Sequence, residues 1–309
     1  MVYVLLVVLC AGCTDSINQG SASRGGAGHA NGVITVGSFN FPESVLLAYL
    51  YADPLASRGF PTRVLPNLGD RELVEPALMN GMVQLVPEYT GSALEFLSLH
   101  HAATRSGVAT QRSLARWARR RGLVPARPAP AQDANAIVVT ATTARRHHLR
   151  SIDDLAELAP HMVFGGPPEC LKRADCLRGL RRVYGLRFKS FTPTDAGGPL
   201  TRQALSSGQI GVGLLFTTDP SIPDRRLVIL DDSRRLQPAE NVTPLLNRST
   251  VRRYGPRLLR TLDAVSADLS TDTLRRLVAR VTIDGQSPRS VADGWLRARG
   301  LMPARQGVG

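Results

Sequence analysis

Short apolar strands alternate with amphipathic helices along most of this chain, and the alternation restricts the fold more than any other feature of the sequence. Strand patterns at 33–37, 62–65 and 84–87 are separated by helical patterns at 44–57 and 72–79. Such alternation is typical of α/β domains, in which helices pack on the faces of a sheet. The 309 residues are enough for two lobes of ordinary domain size.

Polar turns follow two of these strands, at 38–43 and 88–92. In open α/β sheets, ligands bind beyond the carboxyl ends of the strands. We therefore expect these two turns to form part of a ligand site.

A second α/β pattern begins at 136–140, and a return strand at 242–246 leads into amphipathic C-terminal helices. We predict a first lobe of residues 33–136 plus 243–305 and a second lobe of residues 137–242. Two crossovers would join the lobes and leave a cleft between them. Clefts between domains are where small ligands preferentially bind.

The N-terminus has the pattern of a targeting segment. Residues 2–11 are continuously apolar, too few to span a bilayer but enough for a signal-peptide core. They lead into Cys10-Ala11-Gly12-Cys13, which resembles a bacterial lipobox, although Cys10 replaces the commoner Leu and no basic residue precedes the apolar run. We predict a lipoprotein signal peptide at 1–13, lipidation of Cys13 and a flexible Ser/Gly-rich tether at 14–32. The alternative is a plain secreted protein.

Two further cysteines, Cys170 and Cys176, flank a short segment within a region rich in Pro and Gly. Outside the reducing cytoplasm such a pair is expected to form a disulfide. A redox pair is the rival interpretation, but the spacing is not Cys-x-x-Cys. A zinc site is not favoured because no His or second cysteine pair lies nearby at metal-ligand spacing.

The net charge of +13 does not by itself indicate nucleic-acid binding. Only Lys172 and Lys189 are lysines, and the arginines are scattered apart from a run at 119–121. No nucleophile elbow, catalytic carboxylate pair or phosphate loop is found, and the glycines at 208–213 lack the dinucleotide-binding order. We expect neither an enzyme nor a nucleic-acid-binding protein, and no metal or cofactor.

Several separated motifs, in order, resemble one family: the ProX- or OpuC-type substrate-binding subunits of glycine betaine, choline and proline-betaine importers. The motifs lie at 36–43, 87–91, 131–135, 165–180 and 213–220 with 237–242. The resemblance implies a type II periplasmic-binding fold, with two α/β lobes and two hinge crossovers. It also implies an extracytoplasmic monomer, anchored to the outer face of the cell membrane, that delivers its ligand to an ABC permease driven by a separate ATPase. A secreted enzyme or a ligand sensor on the same scaffold is the alternative.

A quaternary ammonium group donates no hydrogen bonds, so a protein recognises it through aromatic faces and negative charge. By resemblance, Tyr89 is a residue of the aromatic box and Phe216 takes a position usually filled by Tyr. Ser92 stands where a hydroxyl donor is expected, Arg173 matches an arginine that holds a ligand carboxylate, and Asp133 matches an acid that faces the ammonium.

Other positions depart from the family pattern. Phe39 stands where many members have a Lys, and Asn135 and Glu240 replace box tyrosines; Asn40, beside Phe39, is also expected to line the site. With one basic residue fewer and one acidic residue more than the family pattern, the pocket is expected to favour a ligand with a net positive charge over a zwitterion. Choline is then as plausible a ligand as glycine betaine, and a ligand of another class stays open.

Overall fold

Two five-stranded sheets organise the chain. The computed structural model describes residues 32–99, 104–222 and 226–303. The predicted signal peptide with Cys13, and the tether apart from Gly32, lie outside the described residues. The strands are β1 (Ile34–Gly37), β2 (Thr62–Leu65), β3 (Leu85–Tyr89), β4 (Leu123–Pro125), β5 (Asn135–Thr140), β6 (Val163–Gly166), β7 (Ser190–Pro193), β8 (Val212–Phe216), β9 (Leu227–Ile229) and β10 (Val242–Asn247).

Helices cover the faces of the two sheets. They are α1 (Pro42–Ser57), α2 (Arg71–Met79), α3 (Thr90–Ser98), α4 (Gly107–Arg120), α5 (Ala141–Arg146), α6 (Leu177–Tyr184), α7 (Pro199–Ser206), α8 (Arg248–Asp268), α9 (Thr271–Thr282) and α10 (Pro288–Ala298). Short 3-10 helices span Ile152–Leu155, Ala159–His161 and Pro168–Leu171. None of the helices in the described part of the chain is long and apolar enough to cross a membrane.

The two sheets have related but distinct strand orders. The first sheet runs β2-β1-β3-β10-β4, with β1 parallel to β2 and β3 and with β10 antiparallel to both of its neighbours. The second runs β7-β6-β8-β5-β9, with β5 antiparallel to both of its neighbours. We call the parts of the chain built around these sheets the first and second bodies.

The chain passes between the bodies twice, from β4 to β5 and from β9 to β10. These two connections lie side by side, because Gln132 forms an antiparallel bridge with Asn241 and the Asp133 amide donates to the Glu240 carbonyl oxygen at 3.0 Å. Two predicted site residues, Asp133 and Glu240, are therefore held at the junction of the bodies.

Apolar residues are buried on both faces of β5, an inner strand of the second sheet. Ile137 and Val139 belong to one buried cluster, whereas Ala136 and Val138 belong to another. Since successive side chains of a strand point to opposite faces, an uninterrupted apolar run suits a strand covered on both sides. The first body has one large core, into which α1 buries residues on most of its circumference.

The sequence patterns identified most elements but missed α4, α5, α7 and β4. Helix α4 buries only Thr110, Leu114 and Ala118, so its apolar stripe is too narrow to stand out among its polar residues. Its last turn contains Arg119 and Arg120, which are exposed. Strand β3 also continues past the predicted 84–87 to Tyr89, which lets Tyr89 serve as the N-cap residue of α3.

Candidate functional site

A cleft lies between the two bodies, at the carboxyl ends of β1, β3, β6 and β8 and beside both crossovers. The cleft is small, with a volume of about 50 Å³. The nine residues predicted to bind ligand all line this cleft: Phe39, Asn40, Tyr89, Ser92, Asp133, Asn135, Arg173, Phe216 and Glu240. The structure thus brings the whole set together, although their role as ligand contacts stays a prediction.

Four aromatic rings form one wall of the cleft. Phe41 is central: its ring centroid lies 5.9 Å from that of Phe39, 6.3 Å from that of Tyr89 and 5.5 Å from that of Phe216. The sequence prediction did not single out Phe41, although it lies in the same polar turn as Phe39. Pro42 follows Phe41 at the first position of α1, where its fixed backbone angle favours helix initiation and so sets where the turn ends.

Behind this wall, Glu43 receives hydrogen bonds from both bodies. The Tyr89 hydroxyl donates to Glu43 Oε1 at 2.6 Å, and the Thr218 hydroxyl donates to Glu43 Oε2. Burial raises the pKa of Glu43, against the opposing effect of these hydrogen bonds. Burial and the neighbouring Glu43 also raise the pKa of Tyr89, so the phenol keeps the proton that it donates. Glu43 was missed because nothing marks a first-turn acid as inward-facing.

Asp133 lies beside this group at the first crossover. Its Oδ1 accepts hydrogen bonds from the Thr218 amide at 2.9 Å and from the Thr217 hydroxyl at 3.2 Å. Burial, reinforced by the charge of Glu43, raises the pKa of Asp133 well above its ordinary value. The Asp133 carboxyl is therefore tied to the loop that follows β8.

A basic residue missed by the sequence prediction, Arg71, lies against Phe39. Its guanidinium carbon is 5.0 Å from the centroid of the Phe39 ring. Arg71 also donates two parallel hydrogen bonds to Glu88, from Nε to Oε1 at 2.8 Å and from Nη2 to Oε2 at 3.0 Å. Such bidentate pairs are among the stronger polar interactions in proteins. Phe39 thus replaces a lysine in sequence, but a cation still lies next to it.

Arg173, the predicted carboxylate-binding residue, contacts acids of both bodies. Its Nη2 lies 3.2 Å from Glu72 Oε2 on α2 and 3.5 Å from Glu169 Oε1. Glu72 is 101 positions away from Arg173 in sequence, and no sequence pattern indicated this pairing. This ion pair joins the two bodies at the edge of the cleft.

Glu240 reaches from the second crossover to the start of α3. Its Oε2 accepts hydrogen bonds from the amides of Gly91 at 2.9 Å and Ser92 at 3.1 Å, and its Oε1 accepts the Ser92 hydroxyl at 2.7 Å. Burial raises the pKa of Glu240 to about 8, against the opposing effect of the hydrogen bonds from Ser92. Asn135, the other replaced tyrosine, donates from Nδ2 to Asp175 Oδ2 at 2.8 Å.

The structure contains the predicted disulfide between Cys170 and Cys176, whose Cα atoms are 5.2 Å apart. Both cysteines are buried and line the cleft. The bridge therefore shapes the loop that carries Glu169 and Arg173. Within residues 32–99, 104–222 and 226–303, no cluster of His, Cys, Asp and Glu side chains could hold a metal ion.

Comparison with known proteins gives a consistent picture. A family model described as the substrate binding domain of ABC-type glycine betaine transport systems matches residues 32–298. A glycine-betaine-binding protein of Pseudomonas aeruginosa is 28% identical over 309 residues, covering 96% of each chain. The glycine betaine-binding protein YehZ of Escherichia coli is 27% identical over 280 residues, covering 86% of this chain and 90% of YehZ.

Solved structures share the architecture. The crystal structure of a glycine betaine/carnitine/choline ABC transporter protein has a TM-score of 0.69 at 21% identity, and the match covers 87% of this chain and 99% of that one. This similarity confirms the predicted two-lobed periplasmic-binding fold. The chain therefore belongs to the family of substrate-binding domains of ABC-type glycine betaine transport systems, whose members are extracytoplasmic transport proteins rather than enzymes.

Proposed function

We propose that this protein captures a small quaternary-ammonium compound, such as glycine betaine or choline, in the cleft between its bodies. It then delivers the compound to a membrane permease that is driven by a separate ATPase. A lipid on Cys13 would keep the protein at the outer face of the cell membrane. The family membership supports the transport role, and the cleft supports the chemical class of the ligand.

The aromatic wall is the observation that carries this proposal. Cation–π contacts contribute about 0.5–2 kcal/mol each, and they need no hydrogen-bond donor on the ligand. The wall offers four rings, with neighbouring centroids 5.5 to 6.3 Å apart. No other group of the described residues combines this many rings with a cleft between bodies.

The charge of the cleft favours a cation as well. Five carboxyl side chains and two guanidinium groups line it, in a protein whose net charge is +13. The acids are Asp70, Asp133, Glu169, Asp175 and Glu240, and the bases are Arg71 and Arg173. The raised pKa values of Asp133 and Glu240 favour their neutral forms, but the other three acids still outnumber the two bases, and this balance favours a cationic ligand.

Ligand capture would proceed by closure of the bodies about the paired crossovers, a hinge motion used by periplasmic binding proteins. Two contacts across the cleft support the existence of a closed form. Thr218 of the second body donates to Glu43 of the first, and Arg173 pairs with Glu72. A ligand that contacts both bodies would stabilise the closed form and so favour these two contacts further.

Isothermal titration calorimetry tests the proposal directly. The purified protein is titrated with glycine betaine, choline, carnitine and proline betaine, and so are the Tyr89→Ala and Tyr254→Ala variants. We expect binding of at least one compound and a loss of about 2- to 30-fold or more in Tyr89→Ala, which removes one aromatic face. Tyr254 packs against Phe60 in the first body and does not line the cleft, so its variant should bind normally.

Two outcomes would count against the proposal. Absence of binding to all four compounds would exclude the proposed ligand class, and equal losses in both variants would show that the cleft wall is not the site. Anchoring is tested separately: Cys13→Ser should release the protein from the membrane fraction, whereas continued membrane association would contradict lipidation at this residue.

A further inference from the structure

We infer that Glu240 is a specificity residue that occupies, with its own carboxylate, the position where a ligand carboxylate would be received, so that the cleft selects organic cations without a carboxylate. The inference rests on the proposed function and names the ligand class of the same site. It follows from how the polar donors of the cleft are used.

The N-terminus of α3 offers the best donors for an anion in the cleft. Free amides at a helix N-terminus attract negative charge, and Ser92 adds a hydroxyl. Here the amides of Gly91 and Ser92 and the Ser92 hydroxyl all donate to Glu240. Both oxygens of the carboxylate are used, and only 3% of Glu240 is exposed. A ligand carboxylate at this position would have to displace a buried protein carboxylate.

Close packing fixes Glu240 against α3. A Cβ atom added at Gly91 would lie 2.7 Å from Pro238 Cγ and 3.0 Å from the Ala239 carbonyl oxygen, so the second crossover touches the first turn of the helix. The Glu240 carbonyl oxygen is also bound by the Asp133 amide. Glu240 is therefore held from its backbone as well as from its side chain, and it cannot easily move aside for a ligand.

The arginines that line the cleft are already paired with acids of the protein. Arg71 uses the Nε–Nη2 edge of its guanidinium group on Glu88, and Arg173 is held by Glu72 and Glu169. In the described residues, each basic side chain of the cleft thus already faces a protein carboxylate. An ammonium group, by contrast, needs no hydrogen-bond donor. Arg71 lies over the Phe39 ring, so Phe41, Tyr89 and Phe216 are the rings that would receive it.

Choline and glycine betaine make a matched pair for the test, because they share the trimethylammonium group and differ in bearing a hydroxyl or a carboxylate. Calorimetry is performed with the wild type, Glu240→Gln and Glu75→Gln. We expect the wild type to bind choline more tightly by about tenfold or more, because Glu240 already uses the donors that would receive the carboxylate of glycine betaine. Glu240→Gln should reduce this ratio by about tenfold, mainly through tighter glycine betaine binding.

Glu75→Gln is the control, because Glu75 is a fully buried acid of the first body that does not line the cleft. It should keep the wild-type ratio. Equal or tighter binding of glycine betaine by the wild type, or an unchanged ratio in Glu240→Gln, would overturn the inference and leave the proposed function intact. Binding of neither compound by the wild type would overturn the inference, and the titrations with carnitine and proline betaine would then decide the proposed function.

Ser92→Ala supplies a second test should Glu240→Gln fail to fold. If the Ser92 hydroxyl is committed to Glu240, removing it changes the affinities for choline and glycine betaine by the same factor. If the hydroxyl instead receives the ligand carboxylate, only glycine betaine binding weakens, and Glu240 does not have the role inferred here.

Discussion

Replacing Thr218 by valine is expected to weaken ligand binding, although Thr218 is not among the residues that line the cleft. Its hydroxyl donates to Glu43 Oε2 across the two bodies, and the two residues are only 2% and 4% exposed. Valine has nearly the same shape but no donor. The variant therefore leaves a buried carboxyl oxygen without this partner whenever the bodies are closed.

The size of the effect follows from where the penalty falls. An unsatisfied buried acceptor costs about 1–3 kcal/mol. In an open form, water can reach the same oxygen, so the penalty acts on the closed form alone. The apparent dissociation constant depends on the population of the binding-competent form, and it should rise by about 5- to 150-fold.

Calorimetry with the tightest-binding compound, together with thermal unfolding, separates this effect from general damage. The matched control is Thr201→Val: Thr201 is fully buried, but its hydroxyl donates to Asp195 within the second body. The control should lose stability and keep its affinity within about twofold, because its hydrogen bond does not cross the cleft. A Thr218→Val protein that binds as tightly as the wild type would refute the idea that this contact stabilises a closed form.

Three further predictions concern stability. Replacing Cys170 and Cys176 by serine opens a loop of sequence separation 6, and denaturant unfolding should show a loss of about 2 kcal/mol; no loss would exclude a stabilising bridge. Glu75→Leu should destabilise the protein by about 1–3 kcal/mol in urea unfolding, because it removes the hydrogen bond that the buried Glu75 carboxyl makes with Glu88; unchanged or increased stability would contradict a role for this bond. The pKa of Glu240 is raised to about 8 in the folded protein, so this group stabilises the folded state fully at pH values below its ordinary pKa of 4.5. The contribution is lost as the pH rises from 4.5 through 8. The unfolding temperature should therefore fall over this range more steeply in the wild type than in Glu240→Gln, and equal slopes would contradict the shift.

Much of the fold could be predicted from the sequence because its elements have strong periodic patterns. Strand β2 has the limits that the sequence predicts, since it is bounded by residues that end the apolar pattern. Helix α7 could not be recognised, because it has only eight residues and buries only Thr201, Ala204 and Leu205. An element this short is stabilised mainly by its neighbours, and single-sequence patterns do not contain that information.

The candidate site was predictable for a different reason. Residues at the carboxyl ends of strands in one sheet come together whatever their separation in sequence, which is how Phe39 and Tyr89 both come to lie against Phe41. A residue that reaches the site from a neighbouring element is harder to identify. Arg71 begins α2, and its position beside Phe39 depends on how α2 packs. A first-turn arginine is ordinary in sequence, so no local signal distinguishes it.

The partners of the charged residues were the least predictable part, and they matter most for function. The sequence predicts that Asp133, Arg173 and Glu240 reach the cleft, but a charge that leaves water must find a partner, and the partner is chosen by three-dimensional proximity. Arg173 meets Glu72 across 101 positions, and Glu240 meets Ser92 across 148. The same polar side chains that can bind a ligand can also bind one another. A cleft whose donors are satisfied by its own carboxylates has the same composition as one whose donors await a ligand, and its selectivity differs because those donors are already engaged.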